Sequence, residues 1–300
     1  MYKVAIVGAG NVGASLASRL LREDSVSKIK IYDTSDRFEA VYKDLADESV
    51  VVKAKPSLIK CKSIEDILDS EVVVTTIKAN YDYRDYAPED LRVVGIEKDF
   101  PRIKEFATFL ARKKYEGKIL NVSNPVDIVT KLISDYAEND KVYGFGMSMD
   151  VYRAKRFLAE AANVKPDSVD ITIVGEHGDT MVPLYSSAKI YNQPIESFNL
   201  NLEEIKNKLR MHGASIVKVL GYTRFAPASA ILEDVKFLLG MKDKSLMSVK
   251  FKDVYLGLPL YNKNGIIEPE IPRMTMKEFE DFEKSYEKLK KIYEKIKLSS

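Results

Sequence analysis

Two rhythms of apolar and polar residues follow one another along the first half of the chain. Val4-Ala5-Ile6-Val7 is an unbroken apolar run of strand length, the pattern of a strand covered on both faces of a parallel sheet. The spacing then predicts an amphipathic helix over Ala14 to Arg22, a strand over Lys28 to Tyr32 and a helix from about Glu39 to Asp47. A weaker strand near Leu58 to Cys61, a short helix at Ile64 to Leu68 and a buried strand Val72-Val73-Val74-Thr75-Thr76 continue the series. The tyrosine-rich stretch from Asn80 to Asp90 has no apolar period and reads as a loop. Beyond it a helix carries Ile103, Phe106, Phe109 and Leu110, and a strand over Lys118 to Val122 ends at Ser123-Asn124-Pro125-Val126-Asp127. Strands separated by helices in this order imply a doubly wound parallel sheet, with its ligand crevice at the C-terminal ends of the strands.

The second half is less regular. A helix headed by Met149-Asp150-Val151-Tyr152-Arg153 runs on through Phe157 and Ala161. Val169-Asp170-Ile171-Thr172-Ile173-Val174 alternates and is β-branched, so it reads as one strand, and Leu184 to Ile190 is strand-like. Helices are expected over Asn201 to Leu220 and Pro227 to Leu239, and Asn262-Lys263-Asn264-Gly265 carries an Asn-Gly hairpin signal. The expected division is a dinucleotide-binding domain over 1–144 and an α+β catalytic, substrate-binding domain over 145–300, with no linker between them.

The first chemistry lies at the end of the first strand, in Gly8-Ala9-Gly10-Asn11-Val12-Gly13. Gly8 permits the turn, Gly10 lets a pyrophosphate approach the backbone, and Gly13 allows close packing of helix on strand. Asn11 and Val12 open the helix whose N-terminus faces the phosphates. A strand, this loop, a helix and a second strand with Asp33 at its tip together make a Rossmann-type dinucleotide site. Asp33 is expected to accept hydrogen bonds from the ribose hydroxyls and to repel a 2′-phosphate, which selects NAD. Ser35 and Arg37 stand close enough to leave NADP as a secondary cofactor. Thr76 and Asn124 fall at other strand ends and belong to the same crevice.

Composition narrows the classes. Of 300 residues 45% are hydrophobic, an ordinary globular content, and 47 basic against 45 acidic residues leave a net charge of +2. No field of one sign points to nucleic acid or a membrane surface. The Lys-rich run from Lys284 to Lys297 is interleaved with Glu and reads as a solvated helix face. Cys61 stands alone, so no internal disulfide and no cysteine-based metal site is expected, and no metal is assigned. A strand begins within three residues of Met1 and no long apolar run exists, so no signal peptide or membrane span is expected and the cytoplasm is the expected compartment. Gln193 as the one glutamine, together with the absence of Trp, hints at a heat-adapted host.

Only two histidines occur. His212 lies inside a helical pattern and reads as structural. His177 stands in Val174-Gly175-Glu176-His177-Gly178-Asp179, where two glycines allow a tight reversal that presents the imidazole at a strand end. An imidazole can take and give a proton near neutrality, which the oxidation of an alcohol requires. A carboxylate behind it would fix its tautomer. A guanidinium matches a substrate carboxylate with two parallel bonds. Asp150 and Arg153 supply both, three apart on one helix face. Such a pair is commonly a surface salt bridge, but here the two are expected to reach different targets, Asp150 to His177 and Arg153 to substrate.

Five motifs in order carry a resemblance over nearly the whole chain: the Gly8 loop, Val122-Ser123-Asn124-Pro125-Val126-Asp127, Asp150-Val151-Tyr152-Arg153, Gly175-Glu176-His177-Gly178-Asp179 and Gly257-Leu258-Pro259-Leu260. Together they resemble the lactate and malate dehydrogenases, and within them the lactate-dehydrogenase-like malate enzymes. The resemblance implies that His177 is the proton donor and acceptor, Asp150 its partner, Arg153 the carboxylate grip and Asn124 a holder of nicotinamide and substrate. It places on Arg92 an arginine that polarises the carbonyl from the loop. The loop between Thr76 and Arg92 is longer than usual. Tyr86 occupies the position where malate enzymes carry a selecting arginine and lactate enzymes a glutamine, and Arg84 lies two residues away. Gly221-Tyr222-Thr223 resembles the lactate type, with Thr223 at the substrate. A second substrate carboxylate needs a cation, which Arg84 offers, so malate and oxaloacetate are the expected pair, with lactate and pyruvate the alternative, in a homodimer or homotetramer. An NAD-binding glycoside hydrolase would want a metal ligand pair that Cys61 does not offer, and a silent NAD sensor would need no base.

Overall fold

The structure, a computed structural model, describes residues 1–79 and 91–299. In chain order the elements are β1 (Tyr2–Val7), α1 (Asn11–Leu20), β2 (Val26–Tyr32), α2 (Phe38–Val51), β3 (Ser57–Lys60), β4 (Val72–Thr75), α3 (Leu91–Arg112), β5 (Lys118–Asn121), α4 (Val126–Ala137) and β6 (Val142–Gly144). They are followed by α5 (Met147–Ala162), β7 (Val169–Asp170), β8 (Ile173–Val174), β9 (Val182–Pro183), β10 (Lys189–Ile190) and β11 (Gln193–Pro194). The chain closes with α6 (Leu202–Leu220), α7 (Phe225–Leu238), β12 (Lys244–Phe251), β13 (Val254–Lys263), β14 (Ile266–Pro269) and α8 (Met276–Ser299). Among the described residues no helix is long and apolar enough to cross a membrane.

Six parallel strands in the order β3-β2-β1-β4-β5-β6 form the doubly wound sheet read from the sequence. The two faces of β1 show why its run is unbroken. Val4 and Ile6 pack with Leu16, Leu20, Ile231 and Phe237, while Ala5 and Val7 pack on the other face with Ile103, Phe106 and Leu110. Burying each large aliphatic side chain stabilises the sheet by about 1.5–3 kcal/mol. The antiparallel strands β12, β13 and β14 extend it past β6 to nine strands, so one sheet runs through both halves of the chain. The predicted hairpin turn joins β13 to β14, with Asn264 and Gly265 both at positive φ, 56° and 88°.

Two strand readings are corrected. The stretch from Val169 to Val174 is two short strands in two sheets: β7 pairs with β10, and β8 pairs with β9. Ile173 and Val174 are both fully buried, which breaks the alternation of a single half-buried strand. Leu184 to Ile190 likewise holds only the short β10, preceded by a 3₁₀ turn at Tyr185–Ser187. The run from Lys284 to Lys297 is not merely a solvated face, because α8 buries Phe282, Ser285 and Leu289 and sends Lys288 to an interior carboxylate.

One buried group makes stability depend on pH. Asp234 on α7 is almost fully buried and accepts hydrogen bonds from Ser148 Oγ at 2.8 Å and Ser245 Oγ at 2.7 Å. Burial pushes its carboxyl up to about 7. Because the fold holds this proton more tightly than the unfolded chain does, the stability it contributes is full below about pH 4 and lost as pH rises through about 7. Between those limits an Asp234→Asn variant is expected to escape a loss of about 2–4 kcal/mol that the parent shows, measured as urea midpoints across pH.

Candidate active site

The glycine loop after β1 is shaped by close approach. Gly8 has φ +105°, and a Cβ on Gly13 would lie 2.0 Å from the Gly8 carbonyl oxygen, so neither position admits a side chain. Thr76 donates its hydroxyl to that same carbonyl at 2.9 Å, which makes it a support of the loop from β4. Gly10, at the N-cap of α1, has open space where a Cβ would be, and α1 carries no acid in its first turn. Free N–H groups at a helix start with room above them fit the pyrophosphate of a dinucleotide. Asn11 at the head of α1 is exposed, and Val12 is half-buried. Asp33, at the tip of β2, accepts from the Ala9 N–H at 2.5 Å and the Ser35 N–H at 2.6 Å. It therefore fastens the glycine loop from the tip of β2.

The second centre forms where α5 meets the turn after β8. His177 Nδ1 lies 2.6 Å from Asp150 Oδ2, and Arg153 donates to Asp150 Oδ1 at 3.2 Å. A carboxylate can only accept, so Nδ1 carries the hydrogen and Nε2 is the nitrogen left to exchange a proton. Asp150 is 1% exposed and the His177 side chain 20%, and among the described residues Nε2 has no partner. Burial alone would lower the imidazole's pKa. The charge and hydrogen bond of Asp150, helped by Asp127, outweigh it and hold His177 above its ordinary value. Asp150 thus holds both the imidazole and the guanidinium. Arg153 also lies against Gly213 of α6, its Nη1 3.5 Å from where a Cβ would stand.

Several groups position this centre through contacts that the sequence did not announce. Gly146, the N-cap of α5 with φ +144°, lies beneath the imidazole, and a Cβ there would stand 2.6 Å from His177 Cγ. Gly175 and Gly257 exchange two backbone hydrogen bonds, at 3.1 and 2.7 Å, tying the turn to β13. Asp127 accepts the His177 backbone N–H at 2.8 Å. Buried Glu176 accepts from Lys288 Nζ at 2.9 Å and from Thr180 Oγ1 at 2.5 Å, while its N–H donates to Ser285 Oγ at 2.6 Å. These contacts are tertiary, and a glycine far from the histidine in sequence carries no signal of the ring above it. A Gly146→Ala variant is expected to lose about 10²-fold in kcat, since a misplacement near 1 Å at a reacting group costs that much. Steady-state rates with NADH affinity as the control check it.

The remaining candidates are spread around these two centres. Asn124 is exposed between β5 and α4 at the C-terminal edge of the sheet, and Thr223 is half-buried in the turn between α6 and α7. Arg84 and Tyr86 lie outside the described residues, and of Arg92 only the backbone, in the first turn of α3, is described. His212 stacks edge-on against Phe157 at 5.2 Å, and burial with the nearby Arg153 and Arg156 lowers its pKa. Cys61 is buried, and burial raises its thiol to about 11. No cluster that could hold a metal exists among the described residues.

Family models match almost end to end. Residues 2–146 match the NAD binding domain of lactate/malate dehydrogenase, and residues 148–299 match the alpha/beta C-terminal domain of the same family. The chain belongs to the lactate/malate dehydrogenase family. As a member it is an NAD-dependent oxidoreductase acting on the CH–OH group of a 2-hydroxy acid. L-lactate dehydrogenase of Staphylococcus epidermidis is 29% identical over 302 residues, spanning 94% of this chain and 93% of that relative. Malate dehydrogenase from Plasmodium falciparum shares the fold with a TM-score of 0.89 at 24% identity, over 98% of both chains. Minor L-lactate dehydrogenase from Enterococcus mundtii shares it with a TM-score of 0.87 at 22% identity, over 98% of both. Lactate and malate enzymes thus stand side by side among the relatives.

Proposed function

We propose that this chain interconverts malate and oxaloacetate, with His177 as the base and acid. The observation that supports this chemistry is the single carboxylate of Asp150 facing both an imidazole and a guanidinium. In oxidation Nε2 of His177 takes the substrate's hydroxyl proton as the carbonyl forms, and Asp150 stabilises the resulting imidazolium. NAD, when bound in the crevice, would supply the hydride acceptor. Arg153 holds the carboxylate beside the reacting carbon, turning that carbon toward the cofactor crevice. Asn124 orients nicotinamide and substrate, and Arg92 polarises the carbonyl in the reduction direction. Gly8, Gly10, Asn11, Val12, Gly13, Asp33 and Thr76 form or support the cofactor crevice within a dinucleotide-binding unit of residues 1–144. Residues 145–300 carry the catalytic centre, and the working form is a homodimer or homotetramer.

Oxaloacetate carries a second carboxylate that pyruvate lacks, and burying it unpaired costs several kcal/mol. Arg84 is the cation we assign to it. Wild type is expected to prefer oxaloacetate, and Arg84→Gln is expected to cost oxaloacetate about 2–4 kcal/mol in kcat/KM while leaving pyruvate nearly unchanged. Assaying both keto acids on both proteins tests this. The second reading, lactate and pyruvate, is favoured by the Gly221-Tyr222-Thr223 turn and by the name of the Staphylococcus epidermidis relative. Equal losses on the two substrates, or a wild-type preference for pyruvate, would decide for it.

A further inference from the structure

Beside the His177 turn, hydride chemistry as assigned above leaves a buried carboxylate unused. Asp127, the second residue of α4, is 3% exposed. Its Oδ2 takes the backbone N–H of His177 at 2.8 Å, while its Oδ1 is buried without a hydrogen-bond partner. Ser248 Oγ on β12, also buried and unpartnered, approaches this carboxylate too loosely for a regular hydrogen bond. If Asp127 served only to hold the His177 main chain, the neutral amide of an asparagine would accept that N–H equally well. The charge asks for a separate reason.

The surrounding charges supply one. Asp150 and Arg153 face the imidazole from α5, the carboxylate raising its pKa by more than the guanidinium lowers it. On the turn itself, Glu176 and Asp179 are met by Lys288 of α8. From α4 comes Asp127, which among the described residues has no lysine or arginine partner. The cation it does interact with is His177 once that ring is protonated. We infer that Asp127 is a positioning residue that acts through its charge, its carboxylate joining Asp150 in stabilising the imidazolium that forms when His177 carries the substrate's proton. Burial pushes the Asp127 carboxyl up to about 6, against the pull of the nearby Ser248 hydroxyl and of the His177 charge. The main-chain hydrogen bond keeps the carboxylate at one place by the His177 backbone through both protonation states.

The inference rests on His177 being the base, and its test does not require turnover. With only two histidines in the chain, imidazole NMR resonances can be assigned by a His212→Gln variant and followed through pH. In Asp127→Asn the His177 midpoint is expected to fall by about one pH unit, with His212 unmoved. The acid limb of kcat/KM for hydroxy-acid oxidation should move down with it. Ser248→Ala should shift the midpoint the same way by less, because losing the hydroxyl disfavours the ionised carboxylate. An unmoved His177 midpoint in a variant with native circular dichroism and NADH binding would reduce Asp127 to a main-chain anchor. Should Asp127→Asn fail to fold, Ser248→Ala decides on the same criterion. A shifted midpoint alongside a fully active His177→Asn enzyme would overturn the assignment of the base and leave the coupling between Asp127 and the ring standing.

Discussion

A His177→Asn variant is expected to bind NADH as the parent does and to turn over about 10²- to 10⁴-fold more slowly. Asparagine can still donate to Asp150 and is smaller than the ring it replaces over Gly146, so the turn should hold its shape. What it cannot do is exchange a proton. In the parent the neutral ring is needed for oxidation and the protonated ring for reduction. Because Asp150 holds the ring's pKa above its ordinary 6.5, kcat/KM for the hydroxy acid should fall as pH drops through a midpoint above that value. kcat/KM for the keto acid should fall as pH rises through the same midpoint. Both limbs should vanish in the variant. Stopped-flow turnover and fluorescence binding of NADH on one preparation separate the two effects, and normal turnover would make the Gly175 to Asp179 turn purely structural.

Arg153→Leu is expected to cost about 2–5 kcal/mol in kcat/KM for the keto acid, the loss that follows when one partner of a buried charge pair is truncated. Most of it should appear in KM. The guanidinium side chain is 12% exposed and already committed to Asp150, so its geometry is set before substrate arrives. Arg153→Lys restores the charge without the planar fork and should recover only part of the loss. Removing the guanidinium also removes a group that lowers the His177 pKa, so the acid limb of oxidation should move to higher pH. Unchanged KM for every 2-keto acid would assign Arg153 to holding Asp150 alone.

Legibility differs between the halves for a physical reason. In the parallel sheet the inner strands are covered on both faces, so Val4 to Val7 and Val72 to Thr75 announce themselves as apolar runs. Between Val169 and Ile190 the strands are two residues long and belong to two small sheets, and no window of that size carries a period. The chemical trio was readable because His177, Asp150 and Arg153 bear rare or paired chemistry at telling positions. Their supports were not. Gly146, Ser285 and Lys288 act across the fold, and only the packing of α5 and α8 against one turn brings them to the histidine. Asp127 lay within a recognised motif, yet its link to the histidine main chain is likewise a product of folding.

The seam between β6 and β12 bears on how far this molecule can be treated as modular. Gly144 pairs with Ser248, and the nine strands make one continuous sheet. A fragment ending at residue 144 would therefore keep its glycine loop but present β6 as a raw edge, with buried Val142 and Tyr143 at the margin. Such an edge invites pairing with other chains. Chimeras that graft one enzyme's substrate half onto another's cofactor half would need to carry β12 and its partner strand together, because the cassette boundary in space is not the boundary along the chain.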